Sequence, residues 1–333
     1  MNCGDVICIV GMHRSGTSMI ARLLNLCGLD LGAVKALSRH SRAPFENRAF
    51  NRINRALLAH LESSWDKPRR PAEGWELDSA LDPLRVEARH LIESFSGSAH
   101  WGWKDPKTTV LLPFWQRLVP DLRFVVCVRS PLEVAQSLAE RNGLSIGHGA
   151  HLWDLYTRAA IRYSEGYPRI FTFYEDFFHE PLEEVKRLAN FCGLEAKVPL
   201  SEIQEIIRSE LRHHESETSE LLSDNEVLRE YKLLYLGLCA LTARGFAETE
   251  SGGGGEAAVS EIISRFFEMV ERFREEPIVA RLLADLAERE RRARKLQAEV
   301  QTVRASGEIQ RDLISKLVAG FGKIRDLWVR SGG

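Results

Sequence analysis

Residues 5–27 read DVICIVGMHRSGTSMIARLLNLC. Residues 6–10 are an unbroken apolar run, too short for a buried helix and suited to a parallel strand covered on both faces. Gly11 ends that run. Ile20, Leu23 and Leu24 then recur at helical spacing, and Gly28 stands where a helix C-terminus favours a left-handed residue. Strand, glycine-containing loop and helix in succession make a cradle for an anion. Backbone N–H groups of the loop and the positive end of the helix dipole converge on it.

Outward from this stretch the pattern repeats. A helix is expected over 46–62, with Phe50, Ile53, Leu57, Leu58 and Leu61 on one face. Residues 65–83, rich in Pro and Trp, read as a surface loop or lid, and 86–95 as a weak helix. Short apolar runs over 100–103, 123–128 and 169–174 read as further strands. Ser130 and Pro131 suit the N-cap and first position of a helix after the third strand, and Gly193 suits the end of a helix over 181–192. Alternating strands and helices predict right-handed crossovers and an α/β fold: a three-layer, P-loop-like domain around a mainly parallel sheet. This domain is expected over 1–248, with helical character from 199 onward. A Gly-rich linker follows at 249–255, then a helical tail over 256–333. From Leu282 to Trp328 a 4-3 spacing of mostly apolar residues favours a coiled coil over a single helix lying on the domain.

Gly11 and Gly16 keep the GxxxxG spacing, and Thr17 and Ser18 follow where a Walker A loop has Lys and Ser/Thr. The loop resembles a nucleotide-binding P-loop without its lysine. Its strong cation, Arg14, sits on the early side. Arg14, Ser15, Gly16, Thr17 and Ser18 resemble instead the 5′-phosphosulfate loop of sulfotransferases, which use 3′-phosphoadenosine 5′-phosphosulfate. Three further segments extend the resemblance. Arg129-Ser130-Pro131, with Ser137 on the next helix, is similar to the 3′-phosphate site of that family. Its position at the end of a strand suits ligand binding, and removal of Arg129 is expected to spare the fold. Tyr174-Glu175-Asp176 resembles a Tyr-Glu-Asp segment that the family carries at the end of the strand corresponding to 169–174. Trp103-Lys104-Asp105-Pro106-Lys107 is similar to a Lys-Asp-Pro-Arg segment of bacterial members, with Lys107 in place of Arg. Read alone, these segments are also compatible with a solvated strand end and a surface turn.

The four segments in this order resemble the bacterial branch of the sulfotransferase family over 5–195. The resemblance implies sulfuryl transfer to a hydroxyl or amine, a carbohydrate among the candidates. Arg14, Glu46, Lys104 and Asp105 are the expected catalytic residues. Arg14 to Ser18, Arg129, Ser137 and Tyr174 are expected to hold the donor. Glu46, in Pro44-Phe45-Glu46-Asn47, resembles the glutamate of bacterial relatives and is the expected base, with Asp105 second. A Gly-rich Lys motif near the C-terminus and the histidine base of the small-molecule branch are not visible. His148 and His151 read as loop residues, and neither they nor His213 and His214 have metal-ligand spacing. Two rivals stay open: a P-loop kinase or other nucleoside-triphosphate enzyme, and a nucleotide-binding coiled-coil assembly protein without catalysis.

The formal net charge of −2 over 333 residues gives no field for nucleic acid. No leader-like segment and no membrane-length apolar run is read. The six cysteines lack metal spacing and several fall in apolar runs, which suits buried thiols and a cytoplasmic protein. No metal is expected, and self-association is expected through the tail.

Overall fold

The computed structural model describes residues 5–34, 45–69, 71–195, 198–209 and 218–248. The linker and the coiled-coil seam expected from the sequence lie outside the described residues. The strands are β1 (Asp5–Gly11), β2 (His100–Lys104), β3 (Leu122–Val128) and β4 (Arg169–Phe173). They form a sheet of order β2-β1-β3-β4 in which every neighbouring pair is parallel. Helices α1 (Thr17–Leu26), α2 (Arg48–His60) and α3 (Asp82–Glu93) separate β1 from β2. Helix α4 (Thr108–Gln116) joins β2 to β3, and α5 (Pro131–Asn142) and α6 (Ile146–Tyr163) join β3 to β4. Then come α7 (Asp176–His179), α8 (Pro181–Phe191), α9 (Leu200–Ser209), α10 (Thr218–Ser223) and α11 (Arg229–Glu248).

Alternation along the strands makes three layers. Ile7, Ile9, Val125, Cys127 and Ile170 face one side and pack with Met19, Ile20 and Leu23 of α1, Val185 and Leu188 of α8, and Ile203 and Ile207 of α9. Val6, Cys8, Val10, Phe124 and Val126 are buried as well, toward α4 and α6. Burial of both faces is why these strands read as continuous apolar runs. Cys8, Cys27, Cys127, Cys192 and Cys239 are buried free thiols. No described helix is long and apolar enough to cross a membrane.

Several sequence expectations shift. Helix α2 begins at Arg48, not at Glu46. Asn47 is its N-cap, its side-chain oxygen accepting from the Ala49 N–H at 2.9 Å. The 65–83 segment contains two 3-10 turns, Trp75–Leu77 and Ser79–Leu81, and ends inside α3, which starts at Asp82. Helices α4 and α6 were not expected. Pro113 lies inside α4, and α6 opens with Gly147 and Gly149. A Cβ on Gly149 would stand 2.8 Å from the Ala135 Cα, so the glycine lets α5 and α6 close on each other. His148 and His151 are therefore helical, not loop residues.

The chain leaves β1 toward β2 on one side, and β3 then forms on the other. The strand order thus reverses between β1 and β3, where ligands bind in open α/β sheets.

Candidate active site

Four segments meet at the carboxyl ends of the four strands. After β1 the loop turns tightly, the Ser15 N–H reaching the Met12 carbonyl at 3.2 Å. Arg14 has φ 72°, a left-handed backbone that a non-glycine residue adopts at a cost of about 1–2 kcal/mol. Gly16, at φ 80°, precedes α1, and a Cβ there would lie 2.3 Å from Tyr174 Cδ2. Tyr174 therefore backs the loop directly. Thr17 and Ser18 begin α1, whose N-terminus faces the loop.

After β3, Arg129 binds Glu133 one helical turn on, through Nε and Nη2, each 2.8 Å from Oε2. Its Nη1 donates to the Arg14 carbonyl at 3.2 Å, and its guanidinium lies 4.4 Å from the centre of the Tyr174 ring. Arg14 in turn donates from Nε to Ser137 Oγ at 2.8 Å. The loop, the Arg129 segment and Tyr174 are thus one connected unit. The Arg129 side chain is 5% exposed and Glu133 0%. Removing the arginine leaves a buried carboxylate without its guanidinium, so the structure argues for a loss of stability where the sequence led to the expectation of a spared fold.

Ser130 is the N-cap of α5 and Pro131 follows at its start, as expected, but the Ser130 side chain makes no capping hydrogen bond. Its backbone N–H donates to Glu175 Oε1 at 3.0 Å. Glu175 is buried rather than solvated, and burial first, then Glu133, raise its carboxyl above the usual range. The buried hydroxyls of Ser15 and Ser130 have no hydrogen-bond partner among the described residues. Two partnerless hydroxyls at two helix N-termini suit an anionic ligand with two charged groups.

After β2, Lys104 is buried, not on a surface turn. Its Nζ donates to Ser18 Oγ and to Glu46 Oε1, both at 3.0 Å. Asn51 donates to Glu46 Oε2 at 2.6 Å. Burial alone would raise the Glu46 carboxyl, but Lys104, Lys107 and the hydrogen bonds of Lys104 and Asn51 outweigh it and hold it below the usual value. Burial lowers the Lys104 ammonium, with Glu46 opposing. Asp105 is 0% exposed. Its Oδ1 accepts from Lys107 Nζ at 2.8 Å and from the Lys107 N–H at 3.0 Å, and its Oδ2 accepts from Asn54 at 3.0 Å. Asn54 also donates to Thr108 and accepts from Trp115, each at 2.8 Å. Phe50 stacks on Trp103 at 4.7 Å, which fixes α2, and with it Glu46, against β2. Thr109 Oγ1 accepts from the Gly11 N–H at 3.0 Å, tying the β2 turn to the loop.

These contacts gather Arg14, Ser18, Glu46, Lys104, Arg129, Ser137 and Tyr174 at the carboxyl ends of the strands as one candidate cleft, with Ser15, Gly16 and Thr17 in the loop between. Asp105 lies behind the cleft, as a support for Lys107 and the β2–α4 turn. The chain matches the sulfotransferase family over residues 6–198. It belongs to that family. The matched span holds every residue of the cleft. A Caenorhabditis briggsae relative named "Putative protein-tyrosine sulfotransferase" is 28% identical over 125 residues, which cover 35% of this chain and 45% of the relative. A Caenorhabditis elegans protein of the same name is 27% identical over 125 residues, 35% of this chain and 48% of its own. The chain thus spans about half the length of these curated relatives. Among solved structures, sulfotransferase STF9 from Mycobacterium avium is similar at 15% identity with TM-score 0.38, over 65% of this chain and 70% of its own. The sulfotransferase domain of the curacin biosynthetic pathway is similar at 12% identity with TM-score 0.40, over 80% and 98%.

Around these residues stand others that sequence reading passed over. Glu133 stands four residues after Arg129, the helical spacing for an ion pair, and was legible in principle. Asn51 and Asn54 lie on the inner face of α2 and gave no signal. His13, between Met12 and Arg14, packs its ring 4.7 Å from Trp65 and 6.0 Å from Tyr156.

Proposed function

We propose that the chain transfers a sulfuryl group from 3′-phosphoadenosine 5′-phosphosulfate to a hydroxyl or amine, with a carbohydrate or a tyrosine phenol in the acceptor set. The observation carrying this reading is the linkage of Arg14 to Ser137 and of Arg129 to the Arg14 backbone, beside the partnerless hydroxyls of Ser15 and Ser130. A single terminal phosphate needs one such anion centre. A nucleotide charged at both 5′ and 3′ positions uses two joined ones. The loop also lacks the lysine that a kinase of P-loop type uses on its triphosphate.

The bound donor supplies a sulfuryl group already joined to a phosphate leaving group. Ser15 to Ser18 and the α1 N-terminus hold the 5′-phosphate, and Arg129 with Ser137 and Ser130 hold the 3′-phosphate. Tyr174 backs the loop. Arg14 and Lys104 stabilise negative charge on the bridging oxygen as its bond to sulfur breaks. Lys104 has three N–H donors, and Ser18 and Glu46 take two, which leaves one for that oxygen. Glu46 accepts the acceptor's proton as the acceptor oxygen or nitrogen bonds to sulfur. The electron pair of the broken bond stays on the nucleotide phosphate. Asp105 is a positioning residue for Lys107. A sulfuryl group carries less charge than a phosphoryl group, so these cations suffice for the scheme. The test is turnover of sulfur-labelled donor over an acceptor array. Label on an acceptor supports the reading; turnover only with ATP-Mg²⁺ favours the kinase alternative and contradicts it.

A further inference from the structure

His13 stands in the loop and has no role in this scheme. Its imidazole sits in the loop beside Arg14, and its Nε2 is buried with no hydrogen-bond partner among the described residues. Trp65 covers it, tilted at 54° with ring centroids 4.7 Å apart, and Tyr156 meets it edge-on. The indole is held there by its backbone. Tyr156 donates from its hydroxyl to the Trp65 carbonyl at 2.9 Å, and His148 Nε2 donates to the Asp66 carbonyl at 2.8 Å. Both anchors come from α6, so the Trp65 backbone is fixed while its side chain stays partly exposed. An unpaired buried polar atom is unfavourable, and a site recovers that loss when a ligand supplies the partner.

We propose that His13 and Trp65 form the acceptor-recognition wall of the cleft and take a hydroxyl borne on a flat-faced ring. The imidazole hydrogen-bonds that hydroxyl as the indole turns onto the ring face, next to Arg14 and the transferring group. The imidazole meets the acceptor in its neutral form. Burial first, then Lys107, Lys104, Arg14 and Arg141, hold its proton affinity well below the ordinary histidine value. A neutral imidazole can both donate and accept, which suits a neutral hydroxyl and leaves proton removal to Glu46. Aryl and sugar rings both present such a face to an indole. This inference rests on the proposed donor site, and its test separates the two.

Full-length protein is saturated with adenosine 3′,5′-bisphosphate, and binding of para-nitrophenol and of methyl glucoside is measured by calorimetry. Wild type is expected to bind at least one of them, and which one identifies the ring class. His13→Ala and Trp65→Ala are expected to weaken that probe at least tenfold, with bisphosphate affinity unchanged, which also shows that the variants are folded. Trp65→Phe should keep most of the affinity. The proposal is overturned if neither probe binds wild type, if the variants bind the probe as wild type does, or if they lose bisphosphate affinity in equal measure. Failure of wild type to bind the bisphosphate would instead sink the donor reading.

Discussion

Arg129→Ala is the substitution on which sequence and structure disagree most. Arg129 is 5% exposed, and two of its nitrogens lie 2.8 Å from a carboxylate that is 0% exposed. Breaking a buried pair by deleting one member costs about 3–5 kcal/mol, because the other charge stays in a poorly solvated place. The lost contact with Tyr174 adds roughly 0.5–2 kcal/mol. A domain of ordinary stability, about 5–15 kcal/mol, loses a large part of it. Urea denaturation is the assay, with the slope checked for constancy. Arg129→Ala should fall by at least about 3 kcal/mol. Arg129→Ala/Glu133→Gln removes the stranded charge and should recover roughly 1–3 kcal/mol of that loss. The rescued double variant should bind adenosine 3′,5′-bisphosphate no better than adenosine 5′-monophosphate. A single variant as stable as wild type, or a double variant no better than the sum of its parts, would refute the reasoning.

Glu46→Gln keeps an oxygen for Lys104 but takes up no proton, so turnover should fall about 10²–10⁴-fold with donor affinity little changed. Because the folded-state pKa of Glu46 is depressed, its stabilising contribution is complete above the usual glutamate value of about 4.3 and is lost as pH falls through the folded value. The pH dependence of unfolding, compared between wild type and Glu46→Gln, checks this. Asp105→Asn should be inactive through instability, since Lys107 loses its buried partner at a cost of about 3–5 kcal/mol; a folded, inactive variant by circular dichroism would restore Asp105 as a base. The 4-3 seam over 282–328 should drive association, so light scattering should find full-length protein larger than a monomer and a chain ending at Ser251 smaller and still folded. A monomer at micromolar full-length protein would remove the coiled coil.

The parallel sheet was legible because burial on both faces writes a strand as an apolar run, as in β1 and β3. The loop and Arg129 stood out because Gly, Ser and Arg at such offsets after a strand are the residue types an anion cradle uses, and the structure brings them into contact. What the sequence concealed was tertiary. Pro113 and Gly149 argue against helix locally, and only packing on the sheet and on Ala135 makes α4 and α6 helical. The burial of Lys104 and Asp105 depends on Asn54 and on Phe50, which stacks on Trp103; both come from α2, distant in sequence from the lysine motif. His13 has no pattern of its own. Its position matters because Trp65, brought back by α6, lies on top of it.

The central claim is a donor site with two linked anion centres. Calorimetry of adenosine 3′,5′-bisphosphate against adenosine 5′-monophosphate tests it most directly. The added phosphate meets Arg129 and Ser137, and a charge-assisted hydrogen bond contributes about 1.5–3 kcal/mol, so the bisphosphate should bind roughly ten- to a hundredfold tighter. Equal affinities for the two nucleotides would contradict the account.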